Sequence, residues 1–103
     1  MRACVQVIRE QCSEHWTLEK MSRQSGLSRT RFSDLLKKIT GDTPTIYLRR
    51  MRVNHAQELL RTTDRRVTEI ALESGFETSQ HFARIFKWFS KQSASQYRES
   101  HRQ

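Results

Sequence analysis

Apolar residues recur along the chain at steps of three and four, the period of helices buried on one face, and no alternating strand pattern survives beyond a few residues. Val5, Ile8 and Cys12, with Val7 beside them, form the first stripe and predict a helix from about Ala3 to His15. Thr17 suits the cap of a second helix that turns Leu18 and Met21 inward and stops at Gly26. Ser28 opens a third, with Phe32, Leu35, Leu36 and Ile39 as its stripe and Gly41 as its stop. Thr43–Pro44 is a strong start signal, a hydroxyl cap followed by proline at the first helical position. The helix it opens carries Ile46, Tyr47, Met51, Val53, Ala56, Leu59 and Leu60, and its roughly 18 residues span about 27 Å. Further helices are expected over about Val67 to Ser74, over about Thr78 to Ser90 with Phe82, Ile85, Phe86 and Phe89, and from near Ser93 through Tyr97. The reading is all-α, with about seven helices.

The two halves repeat. Leu18, Met21, Ser25, Gly26 and Leu27 match Val67, Ile70, Ser74, Gly75 and Phe76 at an offset of 49. After one extra residue, Phe32, Leu35, Leu36, Lys37 and Ile39 match Phe82, Ile85, Phe86, Lys87 and Phe89 at 50, as Tyr47 matches Tyr97. Each copy reads as helix, glycine turn, helix, the arrangement in which a first helix props a second against a DNA major groove. Two copies are too few for a solenoid, which generally needs three or more. Each unit alone is near the lower limit for an independent core, so the helix from Pro44 is expected to serve both. Reading helices that enter successive grooves on one DNA face lie about 34 Å apart. A single chain with two such units then does the work of a symmetric dimer, on an asymmetric site.

Charge sharpens this. Lys and Arg number 19 against 11 Asp and Glu, a formal balance of +8 that favours a polyanionic partner. No apolar run approaches a membrane span. Cys4 and Cys12 stand about 12 Å apart on the expected first helix, too far for a disulfide, and the histidines are scattered, so no metal and no cofactor are expected. Free thiols without an export signal fit a cytoplasmic protein. Catalysis is not expected either: no phosphate loop, nucleophile elbow or paired carboxylates are present. Trp16, Tyr47, Phe76, Phe86 and Tyr97 fall at core spacing, which favours packing over base stacking.

Ile70-Ala71, Gly75-Phe76, Phe82, Phe86 and Tyr97-Arg98 resemble the signature of the AraC/XylS family of bacterial regulators. So do Ser25-Gly26-Leu27-Ser28, Phe32, Lys37-Lys38, Gly41, Pro44 and Tyr47, while Met51-Arg52 with Ala56, Leu59 and Leu60 is similar to the family's linking helix. The resemblance runs from about Val5 to Arg98. It implies one domain over 1–103, with helix-turn-helix subdomains at about 3–42 and 63–99 joined by a long linker helix at about 43–62, its third and sixth helices entering adjacent major grooves. Lys91 and Ala94 stand where the family usually has Gly and Pro, which implies a looser last turn.

Apolar positions of the third helix leave Arg29, Thr30, Arg31, Ser33, Asp34 and Lys37 outward. The resemblance places base contacts at Thr30, Ser33 and Asp34, with Arg31 alongside, and at Ser79, Gln80, Ala83 and Arg84 of the sixth helix. Arg84 suits guanine O6 and N7, Gln80 an adenine edge, and Ala83 a thymine methyl. Asp34 suits a cytosine N4 amine, but it equally suits a pair with Lys38 or a role in orienting Arg31. Candidates for phosphate contacts are Thr17 at its helix start, Lys37, Arg52, Lys87 and Arg98. The leading expectation is sequence-specific binding of double-stranded DNA by a monomer, controlling transcription in the bacterial cytoplasm and nucleoid, as an activator through RNA polymerase contacts. A sequence-neutral architectural DNA-binding protein and a helical protein-interaction module are the alternatives. The residues present are either a stand-alone regulator or the C-terminal part of a longer one.

Overall fold

The computed structural model describes residues 2–101, and every helix or strand assigned among them is an α-helix. In chain order these are α1 (Arg2–Glu10), α2 (Leu18–Ser25), α3 (Arg29–Thr40), α4 (Pro44–Thr62), α5 (Val67–Glu73), α6 (Ser79–Ser90) and α7 (Ala94–Ser100). The chain divides into two compact units, Met1–Met51 and Arg52–Gln103, and the division falls inside α4. The expected boundaries at about 42 and 63 merge into this one, and α4 serves both units as its length suggested: it gives Tyr47, Leu48 and Met51 to the first core, and Val53, Ala56 and Leu60 to the second. Units this small need the extra apolar surface.

In unit 1, Cys4, Ile8, Cys12, Trp16, Met21, Phe32 and Leu36 join those α4 residues. Helix α1 ends at Glu10, short of the expected His15, because the Gln11 carbonyl accepts from Glu14 N at 3.0 Å and from the Trp16 indole Nε1 at 2.8 Å. That turn satisfies a carbonyl that a helix end would otherwise orphan. Thr17 Oγ1 accepts from Lys20 N at 3.0 Å and Ser28 Oγ from Arg31 N at 3.2 Å, starting α2 and α3. Both thiols are buried and donate to main-chain carbonyls: Cys4 to Met21 at 3.6 Å and Cys12 to Met51 at 3.7 Å. Burial pushes the Cys4 thiol above its ordinary pKa. Between α3 and α4, Asp42 accepts from Arg50 Nε at 2.8 Å and Nη2 at 3.2 Å, a fork that raises the guanidinium pKa further. Two residues expected inside are outside: Leu18 is 38% exposed and Ile39 56%. Both lie in a terminal turn, where the angle around the helix is right but the covering residues do not reach that far along it.

Unit 2 closes around a row of rings. Phe76 meets Phe82 at 5.2 Å, Phe82 meets Phe86 at 5.4 Å, and Phe86 meets Tyr97 edge-on at 5.6 Å. Ile70, Ala71 and Ala94 complete it with the α4 residues. The Tyr97 hydroxyl accepts from Arg61 Nη1 at 2.6 Å, whereas the equivalent Tyr47 hydroxyl is buried with no partner among the described residues.

The repeat extends to backbone conformation. Gly26 and Gly75 close the two turns at φ 75° and 96°, and Gly41 ends α3 at φ 82°. These left-handed values are open to glycine without a steric cost. At the position equivalent to Gly41, Lys91 takes φ 63° and its N–H bonds the Lys87 carbonyl at 2.8 Å. The expected loosening of the last turn is therefore absent: Lys91 adopts the glycine conformation, Ala94 is buried where Pro44 is, and Ser93 with Gln96 forms a capping box that starts α7.

Candidate nucleic-acid interface

Each unit presents its second helix in the same way. In α3, Phe32 and Leu36 are fully buried, which turns Thr30, Arg31, Asp34 and Lys37 to solvent and leaves Ser33 half-buried. In α6, Phe82 and Phe86 occupy the same two places, so Gln80, Ala83, Arg84 and Lys87 are exposed and Ser79 is half-buried. Thr78 Oγ1 caps α6 by accepting from His81 N at 3.1 Å, and the His81 ring sits 5.8 Å from Phe76, so the helix start is fixed from both sides. Spacings of three and four residues put Gln80, Ala83, Arg84 and Lys87 on one stripe, and Thr30, Ser33, Asp34 and Lys37 on the other.

These side chains are uncommitted. Among the described residues Arg84, Lys37, Lys87, Arg31 and Asp34 have no intramolecular ion pair or side-chain hydrogen bond, and Gln80 has only a long contact from Ser79 Oγ at 3.5 Å. The i+4 pair of Asp34 with Lys38 does not form. The surface ion pairs are elsewhere, as in Arg23–Glu19 and Arg65–Glu73.

The phosphate candidates separate. Lys37 and Lys87 lie exposed on the same helices as the reading residues. Thr17 is exposed with its oxygen engaged by Lys20 N, and its hydroxyl proton remains to donate. Arg52 is half-buried and held by an interaction within the chain. Arg98, expected on a phosphate, instead donates through Nε to the Leu60 carbonyl and through Nη2 to that of Thr63, both at 3.2 Å. It satisfies the open carbonyls at the end of α4 and ties α7 to them. Sequence reasoning passed over Trp88, which is 58% exposed on α6, edge-on to Phe89 at 4.8 Å and capped by Lys91 Nζ at 5.5 Å from its centroid. The available signal was its position, equivalent to the exposed Lys38 of the first copy.

Residues 21–100 match the family described as a helix-turn-helix domain. The regulator AlkR of Acinetobacter baylyi is 33% identical over 84 residues, 82% of this chain and 28% of AlkR. The activator RhaR of Klebsiella pneumoniae is 36% identical over 90 residues, 87% of this chain and 32% of RhaR. The crystal structure of the DNA-binding domain of AdpA, a global transcriptional factor in complex with a target DNA, superposes with a TM-score of 0.91 at 28% identity, covering 96% of this chain and 89% of that domain. The chain belongs to the AraC/XylS family. Its two-unit helical architecture is that of AraC-type DNA-binding domains, and the relatives are transcription regulators rather than enzymes. This AraC-type chain spans about a third of the length of the curated relatives it matches. No described helix is long and apolar enough to cross a membrane, and no cluster of three or more His, Cys, Asp or Glu among the described residues is arranged to hold a metal ion.

Proposed function

We propose that this domain binds double-stranded DNA sequence-specifically, as a single chain, by placing α3 and α6 in successive major grooves, and that it regulates transcription in a bacterial cytoplasm. The observation that carries this reading is the outward stripe of α6: Gln80 and Arg84, both exposed in the first two turns of a capped helix, Arg84 without an intramolecular partner and Gln80 with only the long Ser79 contact. Guanidinium against guanine O6 and N7, and amide against an adenine edge, are the pairings such a stripe offers. Arg31, Thr30, Ser33 and Asp34 form the corresponding set on α3, and Ser79 and Ala83 complete that of α6. Lys37, Lys87 and Thr17 set the register on phosphates, a task that carries no sequence information, and Arg52 contributes from α4. The formal balance of +8 speeds encounter with a polyanion. The relative RhaR is a transcriptional activator, which supports regulation by activation here, with RNA polymerase as the proposed partner.

Selection of binders from a random duplex pool, followed by a salt series on the winner, tests the reading. The expected product is an asymmetric site of about 20 base pairs with two clusters about 10–10.5 base pairs apart. A pool that yields no motif, with affinity still falling steeply with salt, would refute it in favour of a sequence-neutral architectural role.

A further inference from the structure

The two reading stripes are equivalent in backbone and opposite in charge at one position. Thr30, Ser33 and Asp34 precede Gln80, Ala83 and Arg84 by the 50 residues of the repeat, each set on the face opposite a fully buried pair, Phe32 and Leu36 or Phe82 and Phe86. At the third position a carboxylate thus stands where the other unit has a guanidinium. Both are exposed.

Asp34 is also uncompensated. Arg31 lies one turn before it and Lys37 and Lys38 one turn after it, yet none of them pairs with it. A bare carboxylate turned toward a polyanion weakens binding to every sequence, except where a base edge supplies a proton donor. Two bases supply one in the major groove, the N4 amine of cytosine and the N6 amine of adenine. Adenine places the N7 acceptor beside its amine, which repels a carboxylate, and cytosine does not. Thr30 and Ser33 are too short to override that selection from further away.

We infer that Asp34 makes the unit 1 half-site conditional on a cytosine, and that it does so by penalising the other bases rather than by adding affinity. The half-site of unit 2 is chosen in the opposite way, by attraction, through Arg84 and Gln80. The inference rests on the reading above, that α3 and α6 both enter the major groove. Its consequence is direction: the halves of the bound sequence are not interchangeable, so the chain sits on its site in one orientation.

The experiment uses the whole chain with Asp34→Ala and Asp34→Asn, after the wild-type protein has been taken through pool selection. Binding is measured on the selected duplex, on the three replacements at the cytosine of the unit 1 cluster, and on an unrelated duplex. The wild-type chain is expected to prefer cytosine by about tenfold. Asp34→Ala is expected to bring that preference within about twofold while raising affinity for the unrelated duplex by about threefold. Asp34→Asn is expected to move the preference toward adenine, whose N6 and N7 match an amide. Circular dichroism checks that the variants fold, and an exposed side chain without partners gives them no reason to fail. If the wild-type chain selects a site and Asp34→Ala keeps the whole preference profile, the inference is overturned and the reading of α3 and α6 stands. If the wild-type chain selects nothing, both fall.

Discussion

Replacing Arg84 by alanine isolates one DNA contact almost cleanly. The side chain is exposed, has no intramolecular partner, and projects from the side of α6 opposite Phe82 and Phe86. No packing and no hydrogen bond within the protein is lost. Alanine also forms helices at least as well as arginine. Stability should therefore change by less than about 0.5 kcal/mol, a shift of a few degrees at most for a chain of this size. Binding is a different matter. Loss of a bidentate contact to guanine costs about 1–3 kcal/mol and relaxes selection at one position, which raises Kd by about five- to 150-fold. The assay is fluorescence anisotropy on the selected duplex and its single-base variants, repeated at several salt concentrations, beside thermal melting. A base contact leaves the salt slope nearly unchanged, whereas loss of a phosphate contact flattens it by about 0.9. The reasoning is refuted if Arg84→Ala binds every duplex more weakly by one common factor with a flattened slope, or if its melting point collapses.

Other outcomes follow from the interior and the turns. Tyr97→Phe removes the acceptor of Arg61 and should cost about 1 kcal/mol by denaturant unfolding, whereas Tyr47→Phe removes a buried hydroxyl without a partner and should be neutral or stabilising. Equal losses from the two would show that the Tyr47 hydroxyl is bonded. Lys91→Gly relieves a left-handed lysine at about 1 kcal/mol and forfeits its contact with Trp88 at about 0.5 kcal/mol, so the melting point should rise by about 2–4 °C. Cys4 is buried and its thiol pKa is raised above the ordinary value by that burial, so the native chain should resist alkylation near neutral pH. Because the unfolded chain loses that proton first, the contribution of Cys4 to stability is intact below the ordinary thiol pKa and declines as pH rises past it, as melting curves in alkaline buffers would show.

The elements of this fold were legible because their signals are local. Thr17, Ser28 and Thr78 cap the helices they were expected to start, and Gly26 and Gly41 end α2 and α3 in the conformation only glycine takes freely. The outward stripe of α6 was legible for the same reason, since Phe82 and Phe86 set the angle of everything between them. What escaped depends on distance along a helix or on competition for a partner. Ile39 has the right angle and no cover. Arg98 looked like a phosphate ligand because a charge at a helix end suits either a phosphate or a carbonyl, and sequence does not reveal that Leu60 and Thr63 leave theirs open. Lys91 was misread because a capping box one turn later and a buried alanine together outweigh the preference of a single residue for right-handed backbone.

The sharing of α4 decides how this protein can be taken apart. A cut at Met51–Arg52 follows the boundary between the cores, but it severs a continuous helix, and the carbonyls of its last four residues on one side lose the amides they bond on the other. Two fragments that meet at that bond would each begin or end on a frayed half-helix whose apolar side chains belong to a core. Fragments that overlap, residues 2–62 and 44–101, each keep α4 whole. Dissection of the two reading units therefore requires one stretch of sequence to be present twice.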